Sequence, residues 1–262
     1  MIEATLFYLL LGAIAGLISG LFGLGGGVIL VPALAWLFTS EGFPPSLIMQ
    51  MAIATSLATI IATSISSMWA HHQAKAVNWE MVFQLVPGIV VGSLVGAYLA
   101  GQLPTVLLKQ IFALFLIAVS IQLFFQLQPE KGEKVLSKLQ KRVGGLFIGT
   151  VSALLGIGGG SITVPFLIQA KVPAKKAVAI SSACGLPIAL SGSLGYLIVG
   201  WNVEGLPASS FGYLYLPALL GIVTSSILTA PIGAKLAHQL PAKTLKKWFA
   251  LLLAIIGLKL LY

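Results

Sequence analysis

From about residue 46 onward the chain is built of continuous apolar runs close to the length of a membrane-crossing helix, about 20 residues. Such runs lie at 46–70, 79–100, 105–127, 174–199, 211–238 and 243–261. Inside a bilayer every backbone polar group needs a partner within the protein, so only helices and closed barrels cross it. Strands of a membrane barrel alternate apolar and polar residues. These runs do not alternate, so the spans are helical. Only 8% of the 262 residues are charged and 58% are apolar. A water-soluble domain carries roughly 25% charged residues. The sequence therefore predicts an all-α, polytopic integral membrane protein with the lipid bilayer as its partner. Its first segment follows Met1-Ile2-Glu3, which lacks the basic start of a signal peptide, so that segment is expected to be retained.

The two remaining apolar stretches, 5–38 and 143–170, are interrupted by glycine at 23–27 and 156–160. Gly23-Leu24-Gly25-Gly26-Gly27 runs on to Pro32, and Gly156-Ile157-Gly158-Gly159-Gly160 repeats it 133 positions later, running on to Pro165. Gly96-Ala97-Tyr98-Leu99-Ala100-Gly101-Gln102-Leu103-Pro104 likewise returns as Gly233-Ala234-Lys235-Leu236-Ala237-His238-Gln239-Leu240-Pro241. Ala54-Thr55-Ser56 is echoed more weakly by Ile180-Ser181-Ser182. The chain is read as a first membrane repeat at 1–127, a basic linker at 128–142, and a second membrane repeat at 143–262. Each repeat is one glycine-broken segment followed by three helices.

Charge placement chooses the topology. If each broken segment folds back as a helical hairpin, one face collects Lys75, the basic cluster of 131–142, Lys171, Lys175, Lys176, Lys235, Lys243, Lys246 and Lys247. The other face receives Glu3, Glu41 and Glu204, with Lys109 and Lys259 near it. Cytoplasmic loops carry the excess of Lys and Arg, so the linker is expected in the cytoplasm and both termini outside it. That assigns a multi-pass protein to the plasma (cell inner) membrane. A hairpin plus three crossings is an odd number, so the second repeat enters the membrane inverted. Inverted repeats with interrupted helices are a transporter architecture. Tight turns at the membrane surface would give the same parity.

The glycine tips are the first candidates for chemistry. A helix restarting after such a tip points free N–H groups and its positive dipole end at whatever lies before it, which suits an anion. The expected substrate-binding residues are Gly25, Gly26, Gly27, Gly158, Gly159, Gly160 and Ser161, with the hydroxyls of Thr55, Ser56, Ser181 and Ser182 as further donors. Close helix packing is the competing explanation for the glycines, and bonding back to the helix is the competing one for the hydroxyls. The span holding Thr55 also carries Thr59, Thr63, Ser64, Ser66 and Ser67. His71 and His72 could relay protons or sit at the membrane interface. All six carboxylates lie in or beside loops, which leaves none to bind a cation at mid-membrane. Gly12, Gly16 and Gly20, and Gly88, Gly92 and Gly96, form small-residue seams for helix packing.

Other classes are set aside. The net charge of +9 sits in loops, so nucleic acid is not an expected partner. Cys184 is the single cysteine, which excludes an intrachain disulfide and a cysteine-based metal site, and no cofactor is expected. No strand precedes the glycine motif, so it is not a dinucleotide fingerprint. No mid-span nucleophile and base are paired, so the chain is not read as an enzyme.

The duplicated Gly-x-Gly-Gly-Gly-(x)4-Pro, Ala54-Thr55-Ser56 and the Gly-Ala-x-Leu-Ala-x-Gln-Leu-Pro endings resemble those of the sulfite exporter TauE/SafE family. The resemblance covers nearly the whole chain. It implies a permease for sulfite or related sulfur-containing anions such as sulfonates. The family often shows Gly-x-Val-Asp after the helix that here ends near His72, where this chain reads Lys75-Ala76-Val77-Asn78. A carrier or channel for another small organic or inorganic anion, and a scaffold subunit of a larger complex, are the alternatives. Homo-oligomer formation is left open.

Overall fold

The computed structural model describes residues 2–22, 26–125, 137–237 and 242–261. Its helices are α1 (Ile2–Phe22), α2 (Gly27–Ser40), α3 (Ile48–Gln73), α4 (Trp79–Gln102), α5 (Thr105–Phe125), α6 (Lys138–Leu155), α7 (Gly160–Gln169), α8 (Ala174–Gly200), α9 (Leu216–Ala237) and α10 (Ala242–Leu261). The fold is all-α and polytopic, as the sequence predicts. A two-stranded ribbon, β1 (Ser210–Phe211) and β2 (Leu214–Tyr215), joins α8 to α9. It replaces the first turn and more of the span expected from 211. α6 begins within the expected linker. Ser137 and Gln140 form a reciprocal capping box there, each satisfying the other's backbone N–H.

Both glycine-broken segments are hairpins. Tyr8, near the start of α1, donates its hydroxyl proton to Glu41 Oε1 at the end of α2, 2.6 Å away. α1 and α2 therefore run antiparallel with the glycine break at the far end. In the second hairpin a Cβ on Gly144 of α6 would strike the ring of Phe166 of α7, so these helices also fold back on each other. α2 has 14 residues and α7 has 10. At 1.5 Å per residue they are about 21 and 15 Å long, short of a bilayer core of about 30 Å. Gly27 faces Ile60 at the midpoint of α3, and Gly159 faces Ile188 at the midpoint of α8. Both tips thus lie halfway along the two most buried spans.

The packing repeats when each helix of the first five is exchanged for its counterpart among the second five. α1 packs on α9 as α6 packs on α4, and α2 on α3 as α7 on α8, while α3 with α8 and α5 with α10 are self-matched. Small residues make the two long seams. A Cβ on Gly88, Gly92 or Gly96 would collide with backbone carbonyls of α6, and one on Gly145 or Gly149 with those of α4. Gly12 and Gly16 meet α9 in the same way. Lipid supplies no hydrophobic drive between helices, so such close approach carries the association.

The chain path fixes the ends of the bundle. α1 and α3 start at one end, and α4 and α6 start at the other. The two hairpins therefore enter from opposite ends, and the repeats are inverted.

Candidate functional site

A cavity of about 440 Å³ opens against the second tip. Its wall is Gly158, Gly159 and Gly160 before and at the start of α7, Ser181, Ser182 and Gly185 of α8, and Ala62 to His71 along one side of α3. Ser19 of α1 and Ile227, Ala230 and Pro231 of α9 close it. All of these lie between the tips and the end where α4 and α6 begin. Along α3 the wall passes from buried Ser64 to exposed Ser66 and Ala70, so the cavity widens toward that end.

Glycine makes the tip possible. Gly26 and Gly156 adopt left-handed φ of 69° and 67°, which L side chains resist. The tips also touch: a Cβ on Gly27 would stand 2.6 Å from the Gly156 carbonyl oxygen and 3.0 Å from Ile157 Cα. Helix α7 then starts on Gly159, which supplies no side-chain cap. Its first-turn N–H groups face the cavity end of the helix without competition from a capping hydroxyl.

The hydroxyls divide into two groups. Ser181 is 2% exposed, lines the cavity, and its Oγ has no hydrogen-bond partner among the described residues. The Oγ of Ser161 and Oγ1 of Thr163, on α7, are also buried without a partner. Buried polar groups are ordinarily satisfied, and of the six unpartnered buried hydroxyls among the described residues these three gather around one helix start, the others being Ser152, Ser193 and Ser210. Thr55 and Ser56, the repeat counterparts of Ser181 and Ser182, are already committed and do not line the cavity. Thr55 Oγ1 accepts the Tyr215 N–H at 3.1 Å, and Ser56 Oγ donates to the Gly156 carbonyl at 2.8 Å. Ser182 lines the cavity while donating to Val178 O at 3.0 Å. Of the expected site, Gly158, Gly159, Gly160, Ser181 and Ser182 come together at the cavity, and Ser161 lies just behind them. Gly26 and Gly27 pack the first tip against the second, and Gly25 falls outside the described residues.

The wall contributed by α3 was visible in the sequence only as a hydroxyl-rich span. Thr63, Ser67 and His71 recur every four residues, which places them on one face. That spacing is the signal that singles them out. His72 points elsewhere, accepting the Trp79 Nε1–H at 3.2 Å on Nδ1.

An aromatic cluster packs the opposite half of the bundle. Phe38 stacks on Phe43 at 4.8 Å between centroids, Tyr215 meets both edge-on, and Tyr8 flanks Tyr215. Burial, and then the nearby Glu41 carboxylate, push the Tyr215 phenol above its ordinary pKa, so it stays neutral.

The profile of the sulfite exporter TauE/SafE family matches residues 8–260. The chain belongs to this family. A probable membrane transporter protein of Haemophilus influenzae is 36% identical over 99% of both chains. Another, from Methanocaldococcus jannaschii, is 32% identical over 97% of this chain and 94% of its own. A third, from Bacillus subtilis, is 30% identical over 96% and 95%. This TauE/SafE protein is accordingly a multi-pass membrane transporter rather than an enzyme. The turn after α3, where the resemblance led to an expectation of Gly-x-Val-Asp, reads Lys75-Ala76-Val77-Asn78. Lys75 holds φ of 52°, a conformation glycine adopts freely. Asn78 caps α4 by accepting the Met81 N–H at 3.1 Å, as an aspartate would.

Proposed function

We propose that this transporter carries a small oxidised-sulfur anion, such as sulfite or a short sulfonate, across the cell inner membrane by alternating access. The observation that carries this reading is the cavity at the start of α7. It joins a helix N-terminus without a side-chain cap to the buried, unpartnered hydroxyl of Ser181, at the middle of the bundle. A helix N-terminus favours negative charge, and hydroxyls donate to oxyanions without bringing a counter-charge. Among the described residues, no carboxylate lines the cavity to repel an anion or to attract a cation. Gly158, Gly159, Gly160, Ser181 and Ser182 form the binding surface, with Ser161 in support. Gly26 and Gly27, Thr55 and Ser56 form its symmetry-related counterpart, to which Gly25 belongs by sequence.

The orientation follows from charge. Among the described residues, all Lys and Arg except Lys109 and Lys259 belong to segments at the end where the cavity widens. That end is the cytoplasmic one, and both termini lie on the other side. The state described is then inward-facing, sealed outside by the Tyr8, Phe38, Phe43 and Tyr215 cluster. At the repeat counterpart of Ser181, Thr55 is covered by Tyr215 of the ribbon. Outward opening would withdraw the ribbon from Thr55 as the second tip closes over Ser181, one repeat rocking on the other.

Binding to the purified chain should be measured for sulfite, thiosulfate, sulfate and short sulfonates, then repeated with Gly159→Leu. A Cβ there already stands 2.9 Å from Ile188 Cδ1 and 3.1 Å from Thr163 Oγ1, so the leucine must crowd the tip. Loss of binding by a folded variant is expected. Unchanged binding would make the tip a packing device only.

A further inference from the structure

We infer that His71, the titratable side chain among the described residues that line the cavity, links anion binding to a proton: it takes one up from the cytoplasmic side as the anion binds at this mouth and releases it there when the anion leaves. This rests on the reading of the cavity as the anion site and adds to it a proton linked to binding. His71 stands at the wide mouth, one turn beyond Ser67 on the hydroxyl face of α3, and is partly buried. The remaining lining groups are hydroxyls, glycines and apolar side chains, none of which titrates in the physiological range. An imidazole is the side chain that changes charge there.

Among the described residues at this end, His71 is the titratable group that lines the cavity; Lys138, Lys141 and Arg142 lie in the first turns of α6 outside the wall, with Lys141 donating to Gln84 Oε1 at 2.6 Å. On its own helix, His72 is engaged by Trp79 and lies beside Trp69. Lys75 follows in the turn and is exposed. From α8, Lys175 and Lys176 lie in the exposed first turn, and Lys171 precedes them, also exposed. Lys235 lies near the end of α9 by sequence. Glu80, at the start of α4, accepts a hydrogen bond from Gln84 at 3.0 Å and is exposed. The lysines hold a constant positive charge that draws anions to the mouth. The histidine supplies the charge that can be withdrawn.

The test uses methanesulfonate, a strong-acid anion whose own charge is constant across roughly pH 5.5 to 8.5, where histidine titrates. Its Kd for the full chain should rise about tenfold with pH across that window, the worth of one favourable charge pair. His71→Gln should bind with a Kd that is flat with pH and equal to the weak, high-pH value of the wild type. His72→Gln should keep the wild-type profile. Persistence of the pH dependence in His71→Gln, or a flat wild-type profile, overturns the inference. If His71→Gln does not fold, proton uptake in weakly buffered solution decides with the wild type alone: uptake on methanesulfonate binding supports the inference, and none refutes it. Ser181→Ala separates the two levels. Flat binding that still depends on Ser181 removes only the coupling role of His71. Binding indifferent to Ser181 removes the site itself.

Discussion

Replacing Ser181 with alanine should produce two effects that ordinarily do not occur together. The hydroxyl is 2% exposed and has no partner among the described residues. An unsatisfied buried hydroxyl costs roughly 1–3 kcal/mol on protein scales. Its removal should leave the unliganded protein equally stable or more stable, with no fall in unfolding temperature. The same hydroxyl donates to the bound anion in the proposed complex. A hydrogen bond to a charged group contributes about 1.5–3 kcal/mol. At 1.4 kcal/mol per factor of ten, its loss weakens affinity by roughly 10- to 150-fold. Thermal unfolding in detergent and a titration with sulfite or methanesulfonate measure both quantities on one preparation. Ser182→Ala is the internal comparison, because that hydroxyl already donates to Val178 O and should matter less for the anion. An affinity within about twofold of wild type for a stable Ser181→Ala would refute the assignment of this hydroxyl to the anion.

Ser56→Ala should behave in the opposite sense. It removes the donor to the Gly156 carbonyl and should lower stability by about 0.6–1.7 kcal/mol, the range of hydrogen bonds within membrane bundles, seen as a lower unfolding temperature. Gly92→Ala pushes a methyl into the Leu146 carbonyl and Thr150 amide and should cost about 1–3 kcal/mol by the same assay, while Gly42→Ala, whose Cβ meets open space, should suffer only from its φ of 75°. Lys75→Gly should raise the unfolding temperature, since a left-handed residue with a side chain costs roughly 1–2 kcal/mol. Asn78→Ala should lower it by about 1 kcal/mol through loss of the α4 cap.

The architecture was legible because the bilayer imposes so few solutions. Run length, glycine breaks and lysine placement were enough to expect two opposed hairpins, and the Tyr8–Glu41 bond and the Gly144–Phe166 contact bear that out. The glycine seams at 12–16 and 88–96 were read correctly for the same reason, since lipid leaves close packing as their main use. The ribbon at 210–215 was missed. Its residues are apolar and continue the α9 run, and only the turn at Ser209 and Gly212, both at positive φ, separates it. The site was legible in kind but not in detail. Sequence equivalence treated Thr55 and Ser181 alike, whereas in the folded chain the Thr55 hydroxyl accepts the Tyr215 N–H and the Ser181 hydroxyl has no partner among the described residues. A repeat makes two halves alike in sequence, but a single conformation bonds their hydroxyls differently.

The most direct test of the account is flux through liposomes containing this chain alone. Saturable uptake of sulfite, inhibited by a short sulfonate and lost in Gly159→Leu, is the predicted result. An absence of any saturable anion flux from correctly folded protein would contradict the carrier account, and unsaturable ionic current would replace it with a pore.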